Sequence, residues 1–534
     1  MQDKLQPSVI EIAGPVEFQS AGAAPAPVSR GRFRSGLAGR PSVAARLFVT
    51  VWLLYVVHFA SNIVRETYLA VALGERLSVR VDEYLGLHPD LFRFKDNGVY
   101  INNNPGASML GAIPYFVARP IISAVFWWKP TLLRVKPPAR YDDPRPNRTR
   151  FMNEARNRGV DIKLGLAAAS MHVGLMAPLG ATAAVAVFFF LRARLANESR
   201  ALWLALLYAF GTPIFFRSAF LNQNAILTHC VLFAYLALAW PTHPLLGAAL
   251  SRRRLAAAGF ALGFGLLCDY SAVPLILVFG VWIAIASWRN GGRELLRTTP
   301  YVLLGAAVPV GLLLLYQWLA FGSPWLPAQA YMPATQLSVR GWNGFFWPDP
   351  ELMARNLFDL RYGLFAFCPM LMAAVAAPWL DRRPGGPSSA ELALIFGASA
   401  ALYLFNSSVQ FAYLQFNTGI RYMAPAAALL FFALVPVLLR LPRLLMHALV
   451  ISTVAVSWSV SMVREDVPLS LARVFLGGFE LPWLTTLRKM ASGYAPFLTG
   501  GVSPVAIFAL LAVILWLLWR NPAGWNRVDT GPAY

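Results

Sequence analysis

The sequence predicts an all-α polytopic integral membrane protein with about twelve transmembrane helices and a long external first loop. Composition comes first. Hydrophobic residues make up 57% of the 534 and only 13% are charged, with a mean hydropathy of +0.53, whereas soluble domains are about 45–50% apolar and about 25% charged. Runs of the ~20 apolar residues that a helix needs to cross hydrocarbon then recur along the chain. Between them lie short loops rich in arginine, the signature of cytoplasmic loops.

The formal net charge of +21 would point to nucleic acid in a soluble protein. Here loop placement accounts for it, and no nucleic-acid partner follows. Cys230, Cys268 and Cys368 lie in or beside apolar segments without CxxC spacing, so neither a disulfide framework nor a zinc site is expected. Neither GxxxxGK[ST] nor HExxH occurs, which removes the nucleotide-hydrolysing and zinc-protease classes.

Residues 1–43 are rich in Ala, Pro, Ser and Arg, lack periodicity, and read as a disordered basic cytoplasmic tail. The first span is expected at 44–63, running outward, and an external loop at 64–164 follows it. Within that loop 107–128 is apolar enough to span, but Pro114, Arg119 and Pro120 interrupt it and a basic stretch follows. Parity favours a re-entrant or interfacial segment. The next span, 165–191, then runs inward, and Arg192, Arg194, Arg200, Arg252–Arg254, Arg289, Arg293, Arg297, Arg382, Arg383, Arg440, Arg443, Arg520 and Arg527 all fall in the cytoplasm. The remaining spans are 201–216, 219–240, 255–271, 272–288, 299–320, 364–380, 390–407, 421–439, 443–462 and 503–519. They make 44–520 one membrane domain, with 521–534 a second cytoplasmic tail and both termini inside a plasma (inner) membrane.

The stretch from Arg65 to Pro114 gathers Glu66, Asp82, Glu83, Asp90 and Asp96, then closes on the turn Asn103-Asn104-Pro105-Gly106. Acidic groups at the lip of a bilayer do chemistry, bind something, or pair with a neighbour. Glu66, at the outer end of the first span, is placed to act as a general base toward an incoming hydroxyl or amine; the plainer alternative is an interfacial Arg65–Glu66 pair. Turn residues at both ends of 96–106 hold a short extended segment against the membrane face. Asp269, at the outer end of another span, needs a partner or a polar cavity, and Asn222, Gln223 and Asn224 are placed to line one. His58 and His229 read as helix–helix hydrogen bonders. Arg421, at an external helix start, opposes both the positive-inside bias and the helix dipole, which is tolerated when the guanidinium binds an anion such as a lipid phosphate; the plainer alternative is pairing with one of the loop carboxylates. The aromatic residues of Phe321–Trp347 read as an interfacial belt.

In their order these features resemble the polytopic GT-C glycosyltransferases, the class of protein mannosyltransferases and aminoarabinose transferases. The residues that carry the resemblance are Glu66, the turn from Gly98-Val99-Tyr100 to Asn104-Pro105-Gly106-Ala107-Ser108, Tyr208–Pro213, Leu267-Cys268-Asp269-Tyr270, Phe321–Pro324, Arg361–Leu364 and Gly419-Ile420-Arg421-Tyr422. The resemblance implies a polyprenyl-phosphate-linked sugar donor, a glycan, lipid or protein acceptor, transfer on the external face with inversion, and a loop carboxylate as base. Glu66, Asp82 and Asp90 are the candidate catalytic acids, and Arg421, Tyr422, Asp269, Tyr100 and Asn104 the candidate donor- and phosphate-binding residues. Many relatives carry an Asp-Glu pair where this chain has Arg65-Glu66. Either Glu66 is the base, another loop acid replaces it, or activity is lost. The carboxylate pairs that bind metal in some relatives are not clearly present, so no cofactor is expected, while a divalent metal stays open. The rival readings are a secondary transporter or lipid-linked glycan flippase, against which stand unequal external loops and no visible repeat, and an inactive scaffold of the same type.

Overall fold

A computed structural model describes residues 42–134, 141, 146–240, 251–289, 291–380, 386–416, 420–494, 497 and 500–520. The expected tail before residue 42, the arginines 382 and 383, residues 417–419 and the tail after residue 520 lie outside the described residues.

The chain opens with α1 (Val43–Val57), α2 (Arg65–Arg76), a hairpin of β1 (Leu91–Arg93) and β2 (Val99–Ile101), α3 (Gly106–Trp128), α4 (Pro146–Asn157), α5 (Asp161–Met171) and α6 (Ala177–Leu195). Next come α7 (Glu198–Gly211), α8 (Ile214–Arg217), α9 (Gln223–Ala239), α10 (Arg252–Cys268), α11 (Ala272–Arg289) and α12 (Gly292–Phe321). The last third holds α13 (Pro350–Phe358), α14 (Leu364–Phe367), α15 (Ser389–Ser408), α16 (Ala424–Leu438), α17 (Arg443–Val463), α18 (Val467–Gly477), α19 (Pro482–Tyr494) and α20 (Pro504–Trp519). The expected all-helical membrane class is what the chain adopts.

Among the described residues six helices are long and apolar enough to cross a membrane: Gly106–Trp128, Asp161–Leu195, Ala272–Arg289, Gly292–Phe321, Ser389–Ser408 and Arg443–Val463. They do not map one to one onto the twelve expected spans. The segment 107–128 lies within one 23-residue helix, Gly106–Trp128, running through Pro114 and Pro120, and its length and composition suit a crossing as well as an interfacial lie. α5 and α6 join through a π-turn at His172–Met176 into a single 35-residue rod. The segment 364–380 is not one continuous α-helix, because Cys368 precedes Pro369 and is pushed out of the helical region, after which Pro369–Trp379 winds as a 3-10 run.

α16 lies at the centre of the larger core, with nearly every side chain from Ala424 to Leu438 buried; a helix apolar on all sides is stable only where it is covered all round. By contrast, Ile113, Phe116, Val117 and Ile121 of α3 stay exposed, as a lipid-facing helix requires. α10 and α12 approach through glycine: a Cβ on Gly259 would lie 2.1 Å from the Val302 carbonyl oxygen, and one on Gly305 2.0 Å from that of Ala256.

A second core lies under the first loop. The hairpin pairs Phe92 with Tyr100, and Phe92, Phe94 and Tyr100 pack against Phe321 at the end of α12 with ring centroids 5.2–6.1 Å apart. The turn before α3 presses on the end of α10 so closely that a Cβ on Gly106 would sit 2.8 Å from Cys268 and Leu267. These two anchors fix the loop that carries the acidic residues.

Candidate functional site

Val64 is extended and α2 begins at the next residue, which places Glu66 in its first turn, where a carboxylate complements the exposed N–H groups. The Glu66 side chain is 2% exposed. A buried carboxylate without partners would be costly, and Glu66 has two: Asn103 Nδ2 donates to Oε1 at 3.0 Å, and Arg65 Nε lies 3.3 Å from the same oxygen. The Ser108 hydroxyl donates to the Glu66 carbonyl at 3.0 Å and ties the start of α3 to the start of α2.

Arg65 also forms an ion pair through Nη1 with Asp90, so one guanidinium bridges two loop acids. Asp90 is 26% exposed and is therefore the reachable member of the pair. Burial pushes the Asp90 carboxyl up, but Arg65, His88 and Arg421 together hold it below the usual carboxylate range. The Asp90 N–H donates to His88 Nδ1 at 3.1 Å. Burial drops the His88 imidazole to about 4; Asp90 pulls it up, while Arg65 and Arg421 push it down.

Two further residues reach this cluster from distant parts of the chain. Arg421 donates through Nη2 to the Tyr422 hydroxyl at 3.1 Å and to the Leu414 carbonyl at 3.4 Å, with its guanidinium 4.7 Å from the Tyr422 ring centroid. Its Nε is buried and has no hydrogen-bond partner among the described residues. Arg421 is close enough to Asp90, His88 and Arg217 to move their proton affinities, and Tyr422 does the same for Arg65 and Arg217. Of the candidate residues, Glu66, Asp90, Arg421 and Tyr422 thus share one electrostatic cluster.

Asp269 stands on the other side of the Asn103–Gly106 turn. Asn104 Nδ2 donates to the Leu266 carbonyl at 2.7 Å and fastens the turn to the end of α10. Just beyond, Asp269 accepts from Gln223 Nε2 at 3.2 Å, Asn224 Nδ2 at 3.3 Å and the Ser271 N–H at 2.8 Å. Gln223 and Asn224 do line a polar spot, and what they hold is Asp269.

Asp82 and Tyr100 serve the hairpin. Asp82 Oδ1 accepts from the Val99 N–H at 2.7 Å and Oδ2 pairs with Arg80 Nε at 2.9 Å. The Tyr100 hydroxyl donates to the Asn97 carbonyl at 3.2 Å. Among the described residues no hydrogen bond or ion pair joins either to Glu66 or Asp90.

Arg217, His88, Asn103 and Arg464 did not figure among the candidates. Arg217 is buried, and burial first and then Arg421 lower its guanidinium to about 9, which leaves it charged at neutral pH. It donates to Asn222 Oδ1 at 3.1 Å and lies 5.4 Å from the Phe220 ring, while Arg464 lies 5.1 Å from the same ring. The signal for both arginines was present: each is a cation in a segment that the sequence reading expects on the external side, as Arg421 is.

Comparison with solved structures matches two structures of ArnT from Cupriavidus metallidurans, one bound to undecaprenyl phosphate and one in the apo state. Identity is 13% and 15%, coverage is 90% and 89% of this chain and 72% of each of those chains, and the TM-score is 0.46 for both. At that degree of likeness nothing about activity follows. No family model and no curated protein matches the chain.

Proposed function

We propose that the chain is a plasma-membrane glycosyltransferase that moves a sugar from a polyprenyl-phosphate donor to a glycan, lipid or protein acceptor on the external face. The observation that supports this best is the juxtaposition of a carboxylate pair, Glu66 and Asp90, with the guanidinium groups of Arg65, Arg217 and Arg421 at the head of the first loop. Displacement at an anomeric carbon needs both halves of that arrangement: an oxygen to take or orient the acceptor proton, and positive charge where the leaving phosphate gathers negative charge.

In this reading the acceptor oxygen attacks the anomeric carbon while the bond from that carbon to the donor phosphate oxygen breaks. Asp90, the reachable acid, takes the acceptor proton. Glu66 pairs with Arg65 and holds it in line. Arg421, whose Nε has no hydrogen-bond partner among the described residues, and Arg217 stabilise the departing polyprenyl phosphate. Asp269, held by two amides, borders the sugar site across the Asn103–Gly106 turn. A lipid chain seated between helices fixes donor geometry, which contributes several kcal/mol of barrier reduction.

One observation favours a second reading, an inactive scaffold of the same descent: Arg65 stands between both acids, so neither carboxylate is free of a counter-charge. Purified protein in lipid nanodiscs, offered a panel of polyprenyl-phosphate sugars, separates the two. Release of polyprenyl phosphate that is lost in Asp90→Asn and Glu66→Gln supports transfer. Tight donor binding without turnover supports the scaffold, and no binding of any donor refutes both.

A further inference from the structure

We propose that the end of the bundle opposite the Glu66 cluster holds a phosphate-headed membrane lipid, seated in a cavity between α6, α7, α15 and α16. The cavity has a volume of about 520 Å³, within the ~300–1,000 Å³ range of ligand sites. α16 sets the two sites apart. It starts three residues after Arg421 and ends two before Arg440, and its 15 residues span about 22 Å. Arg440 lines the cavity, which places it at the end of α16 away from Arg421.

The walls are apolar, built from side chains such as Phe190, Phe396, Phe432 and Val435. Arg194, Arg200 and Arg440 supply the charged lining. Arg194 is structural: it pairs with Glu391, donates to the Ala239 carbonyl at 2.8 Å, and lies 4.4 Å from the Phe190 ring centroid. That contact fixes the boundary between polar rim and apolar wall. Arg200 differs. It is exposed, makes no ion pair among the described residues, and sits in the first turn of α7, where the helix dipole disfavours a cation. A guanidinium kept at such a place against an apolar cavity matches an amphiphile with an anionic head and a hydrocarbon tail, and a phosphate oxygen suits its planar donor fork. Lipid of the adjacent leaflet supplies both parts at once, and basic residues at that surface attract anionic headgroups. The proposal does not depend on the function of the Glu66 cluster.

The test uses the full chain in detergent, stripped of lipid and titrated with phosphatidylglycerol or phosphatidylcholine, with bound lipid counted by native mass spectrometry. Wild type is expected to retain one phosphatidylglycerol in preference to phosphatidylcholine. Arg200→Gln should weaken that retention roughly fivefold; removing a cation from a first turn does not threaten the helix. Ala393→Trp, from an exposed alanine lining the cavity, should block the tail and abolish retention. Equal retention of both lipids, or Arg200→Gln binding like wild type, overturns the headgroup assignment. Retention unchanged in Ala393→Trp overturns the cavity, and displacement of phosphatidylglycerol by millimolar inorganic phosphate would make the ligand a soluble phosphate instead.

Discussion

Asn103 Nδ2 donates to Glu66 Oε1 across 3.0 Å, joining the turn before α3 to the first turn of α2. Glu66 cannot move to follow a substrate without breaking that bond or the contact with Arg65. Asn103→Ala leaves a buried carboxylate oxygen short of a donor, at a cost of about 1–3 kcal/mol. We expect a lower thermal unfolding midpoint and a lower turnover at saturating donor. A lower midpoint with unchanged turnover would remove Asn103 from any positioning role.

The two loop acids Asp82 and Asp90 are expected to separate on mutation. Asp82→Ala removes a half-exposed acceptor from the Val99 N–H, a loss of about 1 kcal/mol, and should leave donor turnover within about twofold of wild type, a change worth under 0.5 kcal/mol. Asp90→Asn should abolish turnover while leaving the hairpin intact. The reverse ranking, read in the same turnover assay, would falsify the grouping of Asp90 with Glu66.

Sequence alone marked Arg421, because a cation at the outer start of a helix violates two rules at once. It also marked Glu66 and the Asn103–Gly106 turn by their place after the first span. It could not distinguish Asp82 from Asp90: both are acids in a loop, and only the folded chain shows one accepting from the Val99 N–H and the other facing Arg65, 25 residues earlier. The nearness of Arg217 to Arg421 and Tyr422 was not legible, because those residues lie more than 200 positions further along the chain. The prolines of 107–128 looked like interruptions, yet α3 runs through both, and helices in lipid tolerate proline where neighbours re-satisfy the backbone.

Packing between α10 and α12 tolerates nothing larger than glycine at the crossing. Gly259→Val places carbon atoms at about the position of the Val302 carbonyl, so the two backbones must separate. Overpacking of this kind costs about 1–3 kcal/mol or more. The variant should lose monodispersity in size-exclusion chromatography, whereas Gly311→Ala, which meets nothing within 4 Å, should elute as wild type.

Acid should destabilise the first loop. His88 has its folded value near 4 against an ordinary 6.5, so between those pH values the unfolded chain binds the extra proton and stability falls as pH falls. Asp90, also held below its ordinary range, adds a loss in the same direction at lower pH. Thermal midpoints of wild type should therefore decline from pH 6.5 toward pH 4, and His88→Asn should flatten that part of the curve. An identical slope in the variant would assign the pH dependence to other groups.

Arg217 and Arg421 come from opposite halves of the chain and repel one another, yet the fold keeps both at the Glu66 cluster. Two guanidinium groups held together are stabilised when an anion lies between them, and the removal of one charge-assisted hydrogen bond to a phosphate is worth about 1.5–3 kcal/mol. Arg421→Gln should therefore weaken donor binding roughly 10- to 100-fold and, because like-charge repulsion is relieved, raise the thermal midpoint of the donor-free protein. Adding the donor should then stabilise wild type more than the variant. A midpoint that falls in Arg421→Gln without donor, with donor affinity intact, would show that this arginine serves the fold through Tyr422 and Leu414 instead of the phosphate.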